Sequence, residues 1–296
     1  MSPSDYPTPT GKLRLPDFLV IGAQKSGTTS LYEYLRSHPQ VFMPDIKELD
    51  FFTAGINWER GFAWYQRLFA DAGPGVAAVG EASTSYTKFP RYSGSAELIA
   101  RYLPEARLIY VVRNPIDRLR SHYVHNVAFG TETAPLAQAV QTNPDYINFS
   151  KYAMQLDQYL SHFRTDQMLI ITSEALRSTR VQTLERVYSF LGVRADWKSE
   201  VLEQEFFTSE RRLAYPAWVG NSRRWFKKRV FSTVKIPRLV PNRVKQMLGK
   251  PAQSVYESSE AVIPDSLRAE LEAEFSSDIR RLRVLLGNDF DGWNIA

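Results

Sequence analysis

One run constrains this chain more than any other: Phe18-Leu19-Val20-Ile21-Gly22-Ala23-Gln24-Lys25-Ser26-Gly27-Thr28-Thr29-Ser30. Its apolar start, β-branched and without polar alternation, reads as a buried strand. The glycines that follow permit a tight turn and a close backbone approach, and the hydroxyl residues open a helix whose first N–H groups have no intrahelical acceptor. Those groups stand at the favourable end of the helix dipole, so phosphate or sulfate is expected at Lys25–Ser30. The glycines by themselves would only turn the chain. Strand, glycines, lysine and hydroxyls in one run point instead to an anion cradle, and they place the chain among proteins that alternate strands with helices.

Three further apolar runs repeat the pattern. Leu108–Val112 and Met168–Ile171 are short and apolar, each followed by helical periodicity, and Ala77–Gly80 is a weaker strand signal. Helices are expected at Thr28–Ser37, Ser95–Tyr102, Pro115–Val127, Tyr152–Phe163, Val181–Leu191 and Ser266–Leu286. Such alternation predicts a three-layer α/β fold, with a central parallel sheet, helices on both faces and a topology like that of P-loop NTPases. Ligands of such sheets bind outside the carboxyl ends of the strands. The chain has 296 residues, 44% of them hydrophobic, and no internal repeat. It reads as one domain over residues 15–296 behind a polar, disordered leader at 1–14.

Composition removes several chemistries. With no cysteine there is no disulfide framework, thiolate metal site or cysteine nucleophile, and a cytoplasmic setting is expected. His122 and His125 have a metal-binding spacing on a helix but no further ligand near them in sequence, so no metal is expected. No stretch reaches the ~20 apolar residues of a membrane span. The net charge of +5 suits an anionic partner, whether nucleotide, acidic glycan, nucleic acid or membrane surface. Much of that charge lies between Arg211 and Lys250, where Arg223, Arg224, Lys227, Lys228 and Arg229 interleave with Trp218, Trp225, Phe226 and Phe231. Two readings of 211–250 stay open: a solvated basic insertion, or an anion-binding lid with peripheral membrane contact. Nucleic acid is not expected, because no nucleic-acid motif accompanies the charge.

Two other segments carry chemistry. In Leu108-Ile-Tyr-Val-Val-Arg113-Asn114-Pro115-Ile-Asp117-Arg118-Leu-Arg-Ser121 a strand runs into a helix. Arg113 falls at the strand's carboxyl end, with Ser121 two turns along the helix. The pattern fits an anion site, or simply a capped helix start with a surface ion pair. In Pro44-Asp45-Ile46-Lys47-Glu48-Leu49-Asp50-Phe51-Phe52, Glu48 precedes paired aromatics. It is a candidate general base beside apolar surface, or one of several loop charges flanking two core phenylalanines.

Taken together, these motifs resemble the PAPS-dependent sulfotransferases, which use 3′-phosphoadenosine 5′-phosphosulfate as donor. The run Lys25-Ser26-Gly27-Thr28-Thr29 is similar to that family's 5′-phosphosulfate loop. The resemblance implies that Lys25 compensates the leaving phosphate while Ser26, Gly27, Thr28, Thr29 and Ser30 cradle the donor, and that Arg113 and Ser121 hold its 3′-phosphate. Lys47-Glu48-Leu-Asp50-Phe51-Phe52 resembles the glucosaminyl N- and O-sulfotransferase branch and its bacterial relatives, which makes Glu48 the catalytic base. That branch often has histidine at position 50. Gly80-Glu81-Ala82-Ser83-Thr84-Ser85-Tyr86 resembles a Gly-Glu-x-[ST]-Pro-x-Tyr segment, with Thr84 in place of the proline. The implied reaction is sulfuryl transfer to a hydroxyl or amine of an acceptor, whether carbohydrate, glycolipid or small alcohol, with release of PAP, adenosine 3′,5′-bisphosphate, and no metal. Two rivals compete. A nucleotide kinase or NTPase would want its lysine where Thr28 stands and an acidic strand end for Mg²⁺. A non-catalytic basic module for membranes or nucleic acid would rest on 211–250.

Overall fold

The computed structural model describes residues 14–204, 206, 211–214, 254–257, 261–287 and 290–295. Strands β1 (Phe18–Gly22), β2 (Val41–Phe42), β3 (Ala78–Ala82), β4 (Arg107–Val112) and β5 (Met168–Thr172) form a parallel sheet in the order β2-β3-β1-β4-β5. The helices, in chain order, are α1 (Thr28–Ser37), α2 (Phe62–Arg67), α3 (Ser95–Tyr102), α4 (Pro115–Ala128), α5 (Leu136–Thr142), α6 (Asp145–Asn148), α7 (Tyr152–Leu160), α8 (Ser173–Ser178), α9 (Arg180–Leu191) and α10 (Asp265–Leu286). A separate antiparallel pair joins β6 (Arg211–Ala214) to β7 (Ser254–Glu257).

The chain divides into two compact units. One gathers Met1–Arg118, Ile147–Phe207 and Leu271–Ala296 and carries the whole parallel sheet. The other, Leu119–Tyr146 and Thr208–Glu270, carries α5 and the β6–β7 pair.

Within the first unit the sheet is covered on both faces, which is why its strands are continuous apolar runs. Successive residues of β1 and β4 alternate between two cores. Leu19, Ile21, Leu108, Tyr110 and Val112 join Phe51, Phe52, Ile99 and Leu156 on one side. Phe18, Val20, Ile109 and Val111 join Leu31, Leu35, Leu184 and Val187 on the other. Strand β1 lies between β3 and β4, so the chain crosses to one side of it and then returns to the other. Its carboxyl end is therefore the switch point at which such sheets bind ligands.

The expected strands and helices are present, with ends shifted by a few residues; α7, for example, stops at Leu160 rather than Phe163. Strand β2 and helices α2, α5, α6 and α8 had no counterpart in the sequence reading. None exceeds two turns, too short for periodicity to register. Leader residues 1–13 and residues 215–250 of the basic segment lie outside the described residues. The β6–β7 ladder pairs Ala214 with Ser254.

Gly80 in β3 leaves room for the ring of Phe18 on the neighbouring strand. A Cβ at position 80 would lie 2.3–2.5 Å from three of that ring's atoms. Gly80→Ala is expected to destabilise the protein by about 1–3 kcal/mol, seen as a lower urea midpoint at unchanged m-value.

Candidate active site

The turn between β1 and α1, the candidate anion loop, forms where the sequence expects a turn. It is pinned by the Ala23 N–H donating to the Val111 carbonyl at 2.7 Å and the Ser26 N–H donating to the Ala23 carbonyl at 3.2 Å. Gly27 precedes α1 at φ 93°, a left-handed conformation that favours glycine. The first turn of α1 contains no acidic residue and no side-chain cap, so nothing there competes with an incoming anion. Lys25 is half-buried at φ 73°. The loop side chains are not equivalent. Ser26 is fully buried, and the Ser30 hydroxyl donates to the Phe206 carbonyl at 2.8 Å. These two residues offer an anion their backbone rather than their hydroxyls.

Arg113 leaves the carboxyl end of β4. Its backbone is held by Tyr152, whose hydroxyl donates to the Arg113 carbonyl at 2.7 Å and accepts the Arg113 N–H at 3.3 Å. The guanidinium reaches back to the anion loop, donating from Nη1 to the Lys25 carbonyl at 3.3 Å. The capped helix start is also real: the Asn114 side chain accepts the N–H groups of Ile116 at 3.0 Å and Asp117 at 3.2 Å. Arg118 is no surface charge, because it is completely buried and donates to the Ser150 hydroxyl at 2.6 Å. Ser121 is buried on α4, in the stretch belonging to the second unit. His122 lies in the same stretch with its ring 4.8 Å from that of Tyr146. Among the described residues no group of three or more His, Cys, Asp or Glu is placed to hold a metal ion.

Glu48 lies in the segment that follows β2. Thr84, just beyond β3, donates to it twice, from its N–H at 3.1 Å and from its hydroxyl at 2.8 Å, both to Oε2. The proline of the resembled segment could make neither bond. Lys47 donates to Glu48 Oε1 at 3.1 Å and to Thr28 Oγ1 at 3.4 Å, tying the carboxylate to the opening of α1. Burial opposes the charge on Glu48, but the ammonium groups of Lys47 and Lys88 and the Thr84 and Lys47 hydrogen bonds outweigh it and hold the carboxyl below its usual range. The half-buried Lys88 was not singled out in the sequence reading. Its pKa is lowered by burial against the opposing pull of Glu48 and Asp50.

Behind this segment sits a second carboxyl group. Glu81, 1% exposed on β3, accepts hydrogen bonds from Ser83 at 2.6 Å, Tyr86 at 2.6 Å and Tyr65 at 3.1 Å. Asp50 accepts from Ser85 at 2.5 Å. Sequence reasoning used Glu81 as part of a resemblance and as a fallback candidate for the base, not for this buried network. The available signal was an acidic residue inside a strand otherwise buried on both faces. The loop cluster thus sets an anion cradle with two cations, Lys25 and Arg113, beside a carboxylate kept in its charged form. This equipment suits transfer of an anionic group to an acceptor that must lose a proton.

A family model described as the sulfotransferase domain matches residues 15–210. The bifunctional heparan sulfate N-deacetylase/N-sulfotransferase 4 of Mus musculus is 32% identical over 201 residues, 60% of this chain and 22% of that protein. The heparan sulfate glucosamine 3-O-sulfotransferase 3B1 of Homo sapiens is 31% identical over 206 residues, 64% of this chain and 50% of that protein. The chain thus spans between a fifth and a half of these relatives' lengths. The crystal structure of a sulfotransferase from Alicyclobacillus acidocaldarius matches with a TM-score of 0.68 at 26% identity, covering 95% of this chain and 99% of that one.

Burial raises the Glu81 carboxyl to about 7, with the Ser83 and Tyr86 hydrogen bonds limiting the rise and Asp50 adding to it. Because the folded state keeps its proton up to a higher pH than the unfolded chain does, Glu81 favours folding most below the ordinary carboxyl range. That contribution is lost as pH climbs through about 7. Relative to Glu81→Gln, the wild type is expected to lose about 3 kcal/mol of stability between pH 4 and pH 8 in urea titrations. A pH-independent difference would mean that Glu81 does not titrate in this window.

Proposed function

The chain belongs to the sulfotransferase domain family, and from that membership we propose that it transfers a sulfuryl group from PAPS to a hydroxyl or amine of a carbohydrate acceptor, releasing PAP. The observation that carries this reading is the Lys47 bridge, 3.1 Å from the Glu48 carboxylate and 3.4 Å from the Thr28 hydroxyl at the anion loop. Base and anion cradle are thereby one side chain apart. A carbohydrate acceptor is supported by the relatives, whose names specify heparan sulfate and, in one case, its glucosamine.

The residues fit such a donor. PAPS would supply the transferable group and a phosphate leaving oxygen. The N–H groups of Gly27, Thr28, Thr29 and Ser30, with Ser26, would hold its 5′ end, and Arg113 with Ser121 its 3′-phosphate. Lys25 would stabilise the charge that grows on the leaving oxygen, which favours the transition state over the ground state. As the acceptor oxygen bonds to sulfur, the sulfur–phosphate oxygen bond breaks and its electron pair leaves with the phosphate. Glu48 takes the acceptor's proton. A carboxylate held below its usual pKa is a weak base, but the acceptor proton becomes acidic as the new bond forms, so a late transfer suffices. The kinase reading lacks support, since β4 is followed at once by Arg113 rather than by an acid that could organise Mg²⁺.

Two measurements test this proposal. Calorimetry is expected to give tighter binding of PAP than of AMP by about 30-fold or more, because Arg113 loses its anion when the 3′-phosphate is absent. Equal affinities would remove Arg113 and Ser121 from the donor site. Glu48→Gln should keep PAP affinity while single-turnover transfer to glucosamine-containing oligosaccharides falls about 10²–10⁴-fold. A rate within threefold of wild type would exclude Glu48 as the base.

A further inference from the structure

We propose that Glu81 is a positioning residue for the transfer reaction, fixing the segment that bears Glu48 through the hydroxyls of Tyr86 and Ser83. The proposal rests on the reading of Glu48 as the base, and it assigns to a buried glutamate a task that its own inaccessibility to substrate would hide.

Three consecutive backbone amides begin two residues beyond Glu48. The N–H of Asp50 donates to the Ser83 hydroxyl at 2.9 Å, and those of Phe51 and Phe52 donate to the Tyr86 hydroxyl at 3.1 and 3.3 Å. A hydroxyl has one proton to give. Ser83 gives its proton to Glu81 Oε2 and Tyr86 gives its proton to Glu81 Oε1, each at 2.6 Å. Every link therefore runs in one direction, from amide to hydroxyl to carboxylate, and the chain of donors ends on Glu81. The end point is itself rigid: Glu81 stands on β3 opposite Leu19 of β1, with Phe51 and Phe52 fully buried beside it. An acceptor at the end of the relay keeps both hydroxyls turned so that their lone pairs face the amides.

Tyr65 separates positioning from simple satisfaction of a buried charge. Its hydroxyl also donates to Glu81, but its contact with the Glu48 segment is a stacked ring 4.4 Å from that of Phe51. The titratable groups facing Glu81 are Tyr65 from α2, Tyr86 beyond β3, Tyr159 from α7 and the Asp50 carboxylate. Burial pushes the three tyrosines above their ordinary pKa, so they stay neutral when Glu81 takes up a proton near pH 7. Protonated Glu81 becomes a donor, and one hydroxyl must then turn away from it. Glutamine, with one acceptor oxygen, imposes the same reversal at every pH.

The test compares Glu81→Gln, Tyr86→Phe, Ser83→Ala and Tyr65→Phe in the full chain. Two readouts are taken: amide hydrogen exchange at residues 50–52 without ligand, and turnover with PAPS and a glucosamine-containing oligosaccharide. Glu81→Gln and Tyr86→Phe are expected to speed exchange at Phe51 and Phe52 at least tenfold and to lower kcat about 10- to 100-fold, with PAP affinity within twofold. Tyr65→Phe should change stability alone. Wild-type kcat should fall as pH drops through about 7, a limb that Glu81→Gln abolishes. Should Glu81→Gln fail to fold, Tyr86→Phe and Ser83→Ala carry the same comparison. Unchanged exchange in the Tyr86 and Ser83 variants, or a Tyr65→Phe enzyme as slow as Glu81→Gln, overturns the proposal. Failure of the base reading would appear separately, as a Glu48→Gln enzyme of normal rate, while exchange still reports on the relay.

Discussion

Every functional segment described here depends on one constraint: the five strands of the sheet run parallel, so all their carboxyl ends lie at one edge. The chain must leave the sheet there each time. Lys25 follows β1, Glu48 follows β2, Thr84 and Lys88 follow β3, and Arg113 follows β4. Residues separated by up to 88 positions are thereby brought within hydrogen-bonding reach, as between Arg113 and Lys25. Hydrophobic burial on the two faces of the sheet supplies the driving force, while the loops carry the polar groups that would be costly inside.

Two glutamates a short distance apart are driven in opposite directions by their surroundings. Glu48 has two ammonium groups and two Thr84 donors and stays charged. Glu81 has neutral hydroxyls, deep burial and the repulsion of Asp50, and its proton is held to about 7. The contrast follows the rule that paired carboxyls with divergent environments take different tasks. Thr84 shapes the first of these environments directly, since both of its bonds to Glu48 arise from atoms that proline lacks.

The sheet and its main helices were legible because continuous apolar strands and long periodic helices leave strong one-dimensional signals. The run from Phe18 to Ser30 also specified the strand, the turn and the start of the first helix. What could not be read was contact geometry. Nothing in the order of residues distinguishes Ser26 and Ser30, whose hydroxyls face inward or bind Phe206, from Thr28, which meets Lys47. Lys88 and Glu81 escaped for the same reason: Lys88 answers to Glu48, forty positions earlier, and Glu81 acts through Ser83 and Tyr86, which accept from the amides of Asp50 and Phe52, 33 and 34 positions away from them. Nor does the order of residues show that Arg118, within the capped helix start, is interior.

Helix α7 begins with Tyr152, the residue whose hydroxyl grips the backbone of Arg113 on both sides. The next two amides of that helix, those of Ala153 and Met154, donate to Asp278 of α10 at 3.0 and 2.9 Å. A residue near the end of the chain therefore supplies the acceptors that α7 lacks at its own start. Synthesis runs from the N-terminus, so strands β1 to β5 have all been made about a hundred residues before this cap exists. The support beneath Arg113 thus draws on a contact from a residue more than 100 positions beyond β5, made after the whole parallel sheet in the order of synthesis.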